Sequence, residues 1–225
     1  YKPATIKAYL QELRMKRFDQ LIVLALALSG LTFFYKSPQY YDIAFTSFLF
    51  SLAILNFNNV NIRHICGIII LFKLGIFCLI NYYLMESILH LPNLWINAII
   101  FGIQLIALTL LTGVMFFRPV ISRFLHNKTS AKSNPDISIT FADNLLFITF
   151  SILATVTLLA FGENLIRNLE YLGVNEEFAK TFWQWTFFYD NYEIFIHIGE
   201  LFICFIVLCQ SLINQKGLAD KAASQ

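Results

Sequence analysis

The stretch from residue 185 to residue 213 constrains this chain more than any other. It is apolar and longer than the roughly 20 residues that a helix needs to cross a bilayer, yet its first half carries Asp190, Glu193, His197 and Glu200. In a helix of about 100° per residue, these side chains share a sector roughly 80° wide. Because a charge in a spanning helix costs on the order of 2.5 to 3.5 kcal/mol, we expect this stripe to face the protein interior, a water-filled cavity or a bound ion.

The composition of the whole chain is typical of a multi-pass membrane protein. Of its 225 residues, 58% are hydrophobic and only 13% are charged, whereas about 25% of the residues in a soluble domain are charged. The net charge of +2 is too small to indicate a nucleic-acid partner. The sequence therefore predicts an all-α fold with a single transmembrane domain over residues 1–225, surrounded by the lipid bilayer.

Apolar runs separated by Pro, Asn and charged residues predict a bundle of six transmembrane helices. The predicted spans cover about residues 18–35, 42–57, 65–85, 94–117, 141–165 and 185–213. Ile6, Leu10 and Leu13 recur at helical spacing in the basic segment before the first span. This pattern predicts an N-terminal amphipathic helix on the membrane surface, or else a plain topogenic flank. Residues 118–140 form the longest polar connection.

The distribution of Lys and Arg predicts the orientation. With a cytoplasmic N-terminus, twelve of the sixteen fall in inner segments, three fall in outer segments, and Lys73 falls within a span. This bias predicts that both termini and the loop at 118–140 are cytoplasmic. Because no targeting segment is visible, we expect the host to be a bacterial inner membrane.

Topology brings further polar residues to the outer end of the stripe. Spans three and five both end on the outer side, so His90 and Glu163 are expected near the level of Asp190 and Glu193. Lys73 is suggested as the inner partner of Glu200, although their estimated depths differ by several ångström.

The leading interpretation of the outer cluster is a periplasm-facing site for a divalent metal such as zinc. Imidazole and carboxylate groups suit such an ion, and ligands four residues apart on a helix can converge on one point. The predicted ligands are His197, Glu193, Glu163, His90 and Asp190. The site would serve cell-envelope maintenance or membrane-embedded hydrolysis, in which metal-bound water attacks the substrate and Glu193 or Glu163 is the base. The zinc-hydrolase motif H-E-x-x-H does not occur.

Two other interpretations stay open. The stripe can form a proton or cation path that leads to Glu200 and Lys73, which would make the protein a small coupled channel or transporter and a homo-oligomer. Alternatively, the polar side chains are buried pairs that fix helix packing in a non-catalytic accessory subunit of a larger membrane complex. All five prolines lie at span ends or in loops, which favours a rigid bundle over an alternating-access carrier.

Overall fold

The computed structural model describes residues 38–129 and 137–223, and the regular secondary structure in this part of the chain is helical. The predicted first span and the predicted amphipathic helix lie outside the described residues. The chain divides into two compact units, Tyr1–Phe48 and Leu49–Gln225. The described part of the first unit, residues 38–48, is the beginning of a helix. The candidate functional site lies within the second unit.

Eight helices follow one another in the described residues. They are α1 (Pro38–Leu55), α2 (Val60–Ile88), α3 (Asn93–Phe116), α4 (Arg118–Thr129), α5 (Phe141–Arg167), α6 (Glu176–Ala179), α7 (Phe187–Asp190) and α8 (Tyr192–Ala223). Within α2, Leu79–Leu84 forms a π-helical turn. The 3₁₀ turns Leu169–Leu172 and Lys180–Phe182 lie on either side of α6.

Four helices are long and apolar enough to cross a membrane, and they correspond to the predicted spans three to six. These are Val60–Ile88, Asn93–Phe116, Phe141–Arg167 and the Tyr192–Asn214 part of α8. They support the prediction of a helical membrane protein. The predicted second span corresponds to a shorter apolar helix, Tyr41–Leu55. The structure therefore supports four spans within its described residues and does not confirm a bundle of six.

The last spanning helix begins later than predicted. Phe187–Asp190 is a separate short helix. Asn191 (φ −102°, ψ 8°) has a non-helical conformation, and α8 begins at the next residue, Tyr192. The Asn191 side chain donates to the Phe187 carbonyl oxygen over 2.8 Å. Because Asn side chains compete for backbone hydrogen bonds, Asn favours a helix boundary at this position. The single helix predicted over residues 185–213 is therefore wrong at its start, and Asp190 does not share a helix with Glu193.

Residues that begin helices explain several of the other boundaries. The Asn59 side chain accepts hydrogen bonds from two backbone amides in the first turn of α2. Thr140 and Asp143 form a reciprocal capping box at the start of α5. Pro119 lies in the first turn of α4, where its missing N–H group costs nothing. The predicted polar connection at 118–140 thus begins with a helix.

Helix α5 is central to the packing of the second unit, because it packs extensively against both α3 and α8. Helices α3 and α5 run antiparallel: Asn164 near the end of α5 donates to the Leu94 carbonyl at the start of α3. Helix α2 packs against α3 and α8. Buried apolar side chains such as Leu146, Ile203 and Val207 fill the contacts.

Candidate functional site

An ion pair joins α2 and α8 within the membrane-spanning region. Lys73 Nζ lies 2.5 Å from Glu200 Oε1, and the two side chains are 23% and 7% exposed. Lys73 lies near the middle of α2, and Glu200 lies about 12 Å along α8 from Tyr192 at 1.5 Å per residue. The structure thus brings together the two residues that the sequence suggested for an ion path. Their opposite charges compensate each other in apolar surroundings.

A separate set of hydrogen bonds surrounds Tyr192 at the beginning of α8, about 12 Å along the helix axis from Glu200. The Tyr192 hydroxyl donates to Gln104 Oε1 over 2.9 Å and lies 3.2 Å from Thr157 Oγ1. Tyr192 therefore connects side chains of α3 and α5 to the beginning of α8.

Tyr189 continues the polar contacts toward the end of α5. Its hydroxyl accepts from Asn97 Nδ2 over 2.7 Å, and its backbone N–H donates to Glu163 Oε2 over 2.8 Å. The Arg167 guanidinium lies 4.2 Å from the centre of its ring. The Phe101 ring packs edge-to-face against both Tyr189 and Tyr192.

The ion pair and these contacts together supply a set of side chains on four spanning helices and on α7, which we call the polar column. It consists of Lys73, Asn97, Gln104, Thr157, Glu163, Arg167, Tyr189, Tyr192 and Glu200. The column begins near the middle of α2 and reaches the end of α5 at Arg167. It combines groups that exchange protons with hydroxyl and amide groups that donate and accept hydrogen bonds.

The five predicted metal ligands are spread over several elements. His90 is exposed after the end of α2, and Asp190 is exposed in α7. Glu193 is exposed in the first turn of α8, His197 is half-buried one turn later, and half-buried Glu163 binds the Tyr189 amide. Among the residues that the structure describes, no group of three or more His, Cys, Asp or Glu side chains is arranged to hold a metal ion.

A second buried ion pair lies at the opposite end of α3 and α5, and the sequence interpretation missed it. The fully buried Arg118 guanidinium binds both carboxylate oxygens of Asp143, with Nε 2.8 Å from Oδ1. It also donates to Asn61 Oδ1 over 2.6 Å and to the Ser138 carbonyl over 2.9 Å. Asp143 Oδ2 accepts from the Thr140 amide and hydroxyl. We call these five residues the Arg118 clamp.

The second half of α8 is also held at this end of the bundle. Gln210 Oε1 accepts from the Ala142 amide over 3.1 Å, and the Ser211 hydroxyl donates to Asn56 Oδ1 over 2.8 Å. Gln210 and Ser211 are both buried. An Arg directly after a span predicts only topology, and Asn and Gln are ordinary interhelical hydrogen-bond residues. The sequence therefore gave little signal for these contacts.

Comparisons with protein-family models, with curated proteins and with solved structures found no match to this chain.

Proposed function

We propose that this membrane protein is a small proton-coupled channel or transporter, with the Lys73–Glu200 pair as its intramembrane site. The observation that supports it is the depth of the pair, which lies well inside two helices that are long enough to span a bilayer. Ionisable groups at such depth are costly and commonly serve proton relays. A buried pair that only fixes packing is the competing interpretation, and transport measurements separate the two.

The chemistry follows from charge compensation. While Glu200 is ionised, the Lys73 ammonium balances its charge. A proton that binds the Glu200 carboxylate removes the negative charge and leaves the ammonium uncompensated, which is unfavourable in apolar surroundings. Lys73 has a flexible four-carbon stem, so its ammonium can move toward more polar surroundings. Two protonation states of Glu200 thus favour two positions of the Lys73 side chain.

The polar column supplies the proposed route. Tyr192, Gln104 and Thr157 offer hydroxyl and amide groups that bind one another near the beginning of α8. Glu163 lies farther along, half-buried near the end of α5, and is the proposed point of proton entry. Bound water molecules would bridge the longer gaps, because buried water typically binds polar groups of this kind.

Proton flux into proteoliposomes tests the proposal. A pH-sensitive dye inside the vesicles should report faster acidification with the wild-type protein than with empty vesicles, under a potassium diffusion potential. Glu200→Gln removes the proton-binding group and should reduce the flux to that of empty vesicles. Glu176→Gln is the matched control, because Glu176 is exposed outside the spans and should leave the flux unchanged.

Wild-type flux equal to that of empty vesicles would contradict the proposal. The same holds if Glu200→Gln retains full flux, since the pair would then serve packing alone. Lys73→Met gives an independent check, because it removes the ammonium that lies 2.5 Å from the Glu200 carboxylate. Its flux should show a different dependence on pH from that of the wild type.

The divalent-metal site is a second candidate function, supported by one observation. Glu193 and His197 lie four residues apart within the single helix α8, the spacing at which two ligands converge. Hydrolysis would use metal-bound water with Glu193 or Glu163 as base. Elemental analysis of the purified protein tests it: stoichiometric zinc that is lost in His197→Ala supports the site, and equal substoichiometric metal in both proteins refutes it.

The accessory-subunit interpretation makes its own prediction. A partner that co-purifies with the chain, together with wild-type behaviour of Glu193→Gln and Glu200→Gln, would support it over both site-based functions. A bacterial inner membrane and cytoplasmic termini remain predictions from the distribution of Lys and Arg.

A further inference from the structure

The segment between α5 and α8 exposes an unusual number of large apolar side chains for a connection between helices. Those that are exposed include Tyr171, Leu172, Phe178, Trp183, Trp185 and Phe187. Connections that face water are normally polar, and each square ångström of apolar surface left in water costs roughly 25 cal/mol. Residues 169–188 therefore need an environment that is less polar than water.

Several of these aromatic side chains contact one another and so form continuous groups on the surface. Phe182 contacts both Phe178 and Trp185 edge-to-face, with ring centres 5.4 and 5.2 Å apart. Farther along, Phe187 contacts Phe195 with centres 6.1 Å apart. Phe195 belongs to the spanning part of α8, so the aromatic surface of the segment continues onto a membrane-spanning helix. We call residues 169–188 the aromatic platform.

Charged groups lie beside the aromatic ones. Lys180 Nζ lies 2.8 Å from Glu176 Oε1 and 5.7 Å from the centre of the Trp183 ring. A hydrogen bond from Lys180, together with the charge of its ammonium, lowers the pKa of the Glu176 carboxyl. The platform thus presents aromatic rings and an exposed ion pair within a few residues of each other.

We propose that the aromatic platform lies in the headgroup region of the bilayer, where its rings contact the acyl-chain boundary and its charges contact lipid headgroups. The platform joins the end of one spanning helix, Arg167, to the start of another, Tyr192, which places both of its ends at the membrane surface. Trp and Tyr prefer this region because their rings are apolar at one end and polar at the other. The proposal is independent of proton transport.

Tryptophan fluorescence in lipid vesicles tests this placement. The chain has three tryptophans, so replacing two of them by Phe leaves Trp183 or Trp185 as the single reporter. The full chain is reconstituted into phosphatidylcholine vesicles that contain lipid with a nitroxide either near the headgroup or near the end of the acyl chain. A matched control places the reporter in mid-span, as Phe202→Trp with all native tryptophans replaced, because Phe202 is exposed on α8.

Trp183 and Trp185 should lose most of their fluorescence to the headgroup nitroxide and less to the chain-end nitroxide. Phe202→Trp should show the reverse order. Three results would overturn the proposal: quenching by aqueous acrylamide but by neither lipid, which places the platform in water; protection from all quenchers, which indicates a covering protein surface; or preferential quenching by the chain-end nitroxide. The emission maximum gives a second readout, intermediate between that of water-exposed tryptophan and that of Phe202→Trp.

Discussion

Replacing Asp143 by Asn should strongly destabilise the fold, because it removes the charge that compensates Arg118. Arg118 is 0% exposed and Asp143 is 4% exposed, so water cannot replace the lost partner. The Asp143 carboxylate accepts hydrogen bonds from two nitrogens of Arg118 and from the Thr140 amide and hydroxyl. An Asn side chain offers one oxygen to these donors and directs its own NH₂ group toward the rest.

The expected loss in the free energy of unfolding is about 3–5 kcal/mol, the usual effect of leaving one member of a buried ion pair uncompensated. Denaturation by increasing sodium dodecyl sulfate in mixed micelles, followed by circular dichroism, measures it. Asp190→Asn is the matched control. Since Asp190 is exposed, its replacement should change the free energy by no more than about 0.5 kcal/mol.

A double-mutant cycle tests the physical reason. Arg118→Met alone should also destabilise the protein, because Asp143 then remains buried without its partner. When both residues are replaced, no uncompensated charge remains buried. The loss in the free energy of unfolding should then be smaller than the sum of the single losses by about 0.5–3 kcal/mol. A loss below about 1 kcal/mol for Asp143→Asn would refute the uncompensated-charge argument. The argument would also be refuted if the loss in the double mutant equalled the sum of the two single losses.

Two further substitutions probe the contacts of α8. Tyr192→Phe removes the hydroxyl that binds Gln104 and Thr157, and it should cost about 1–2 kcal/mol in the same unfolding assay. Gly199→Ala adds a Cβ atom only 2.5 Å from Leu153 Cδ2. Because the buried Leu153 side chain must move, this change should cost about 1–3 kcal/mol, and Leu153→Val in the same chain should recover part of the loss.

Substitutions at exposed positions are the controls for Tyr192→Phe and Gly199→Ala. Tyr83→Phe removes a hydroxyl from a side chain that is largely exposed, and it should leave the free energy of unfolding nearly unchanged. Gly67→Ala adds a Cβ atom with nothing within 4 Å, and it should be neutral or stabilising because Ala favours helices. If Tyr192→Phe and Gly199→Ala match these controls, the Tyr192 hydrogen bonds and the Gly199–Leu153 contact do not determine stability.

The four long apolar helices were predictable from hydropathy, whereas some of their ends depend on local hydrogen bonding. Asn191 shows this limit. Its side chain binds the Phe187 carbonyl and helps to end α7, whereas the sequence prediction placed Asn191 inside one continuous span. The predicted stripe therefore lost Asp190 and kept Glu193, His197 and Glu200 on α8.

The sequence drew attention to Lys73 and Glu200 because each is a charge within an apolar run, and such charges need partners. It gave no comparable signal for Tyr189 or Tyr192, and for Gln104 it indicated an interhelical hydrogen bond without its partner. Polar and aromatic side chains of these types occur throughout the spans, and their contacts connect residues that are about ninety positions apart. Spacing along one helix carries no information about which neighbouring helix lies opposite.

The two ion pairs differ in burial and in the geometry of the cation. The planar guanidinium of Arg118 is held by Asp143, Asn61 and the Ser138 carbonyl at once, so moving it would break contacts with three parts of the chain. The Lys73 ammonium is carried on a flexible stem and is 23% exposed, whereas Arg118 is fully buried. A change of protonation at Glu200 can therefore be accommodated by moving one side chain. Replacement of Asp143 would leave the buried Arg118 guanidinium without its counter-charge, and we therefore expect Asp143 to maintain the fold.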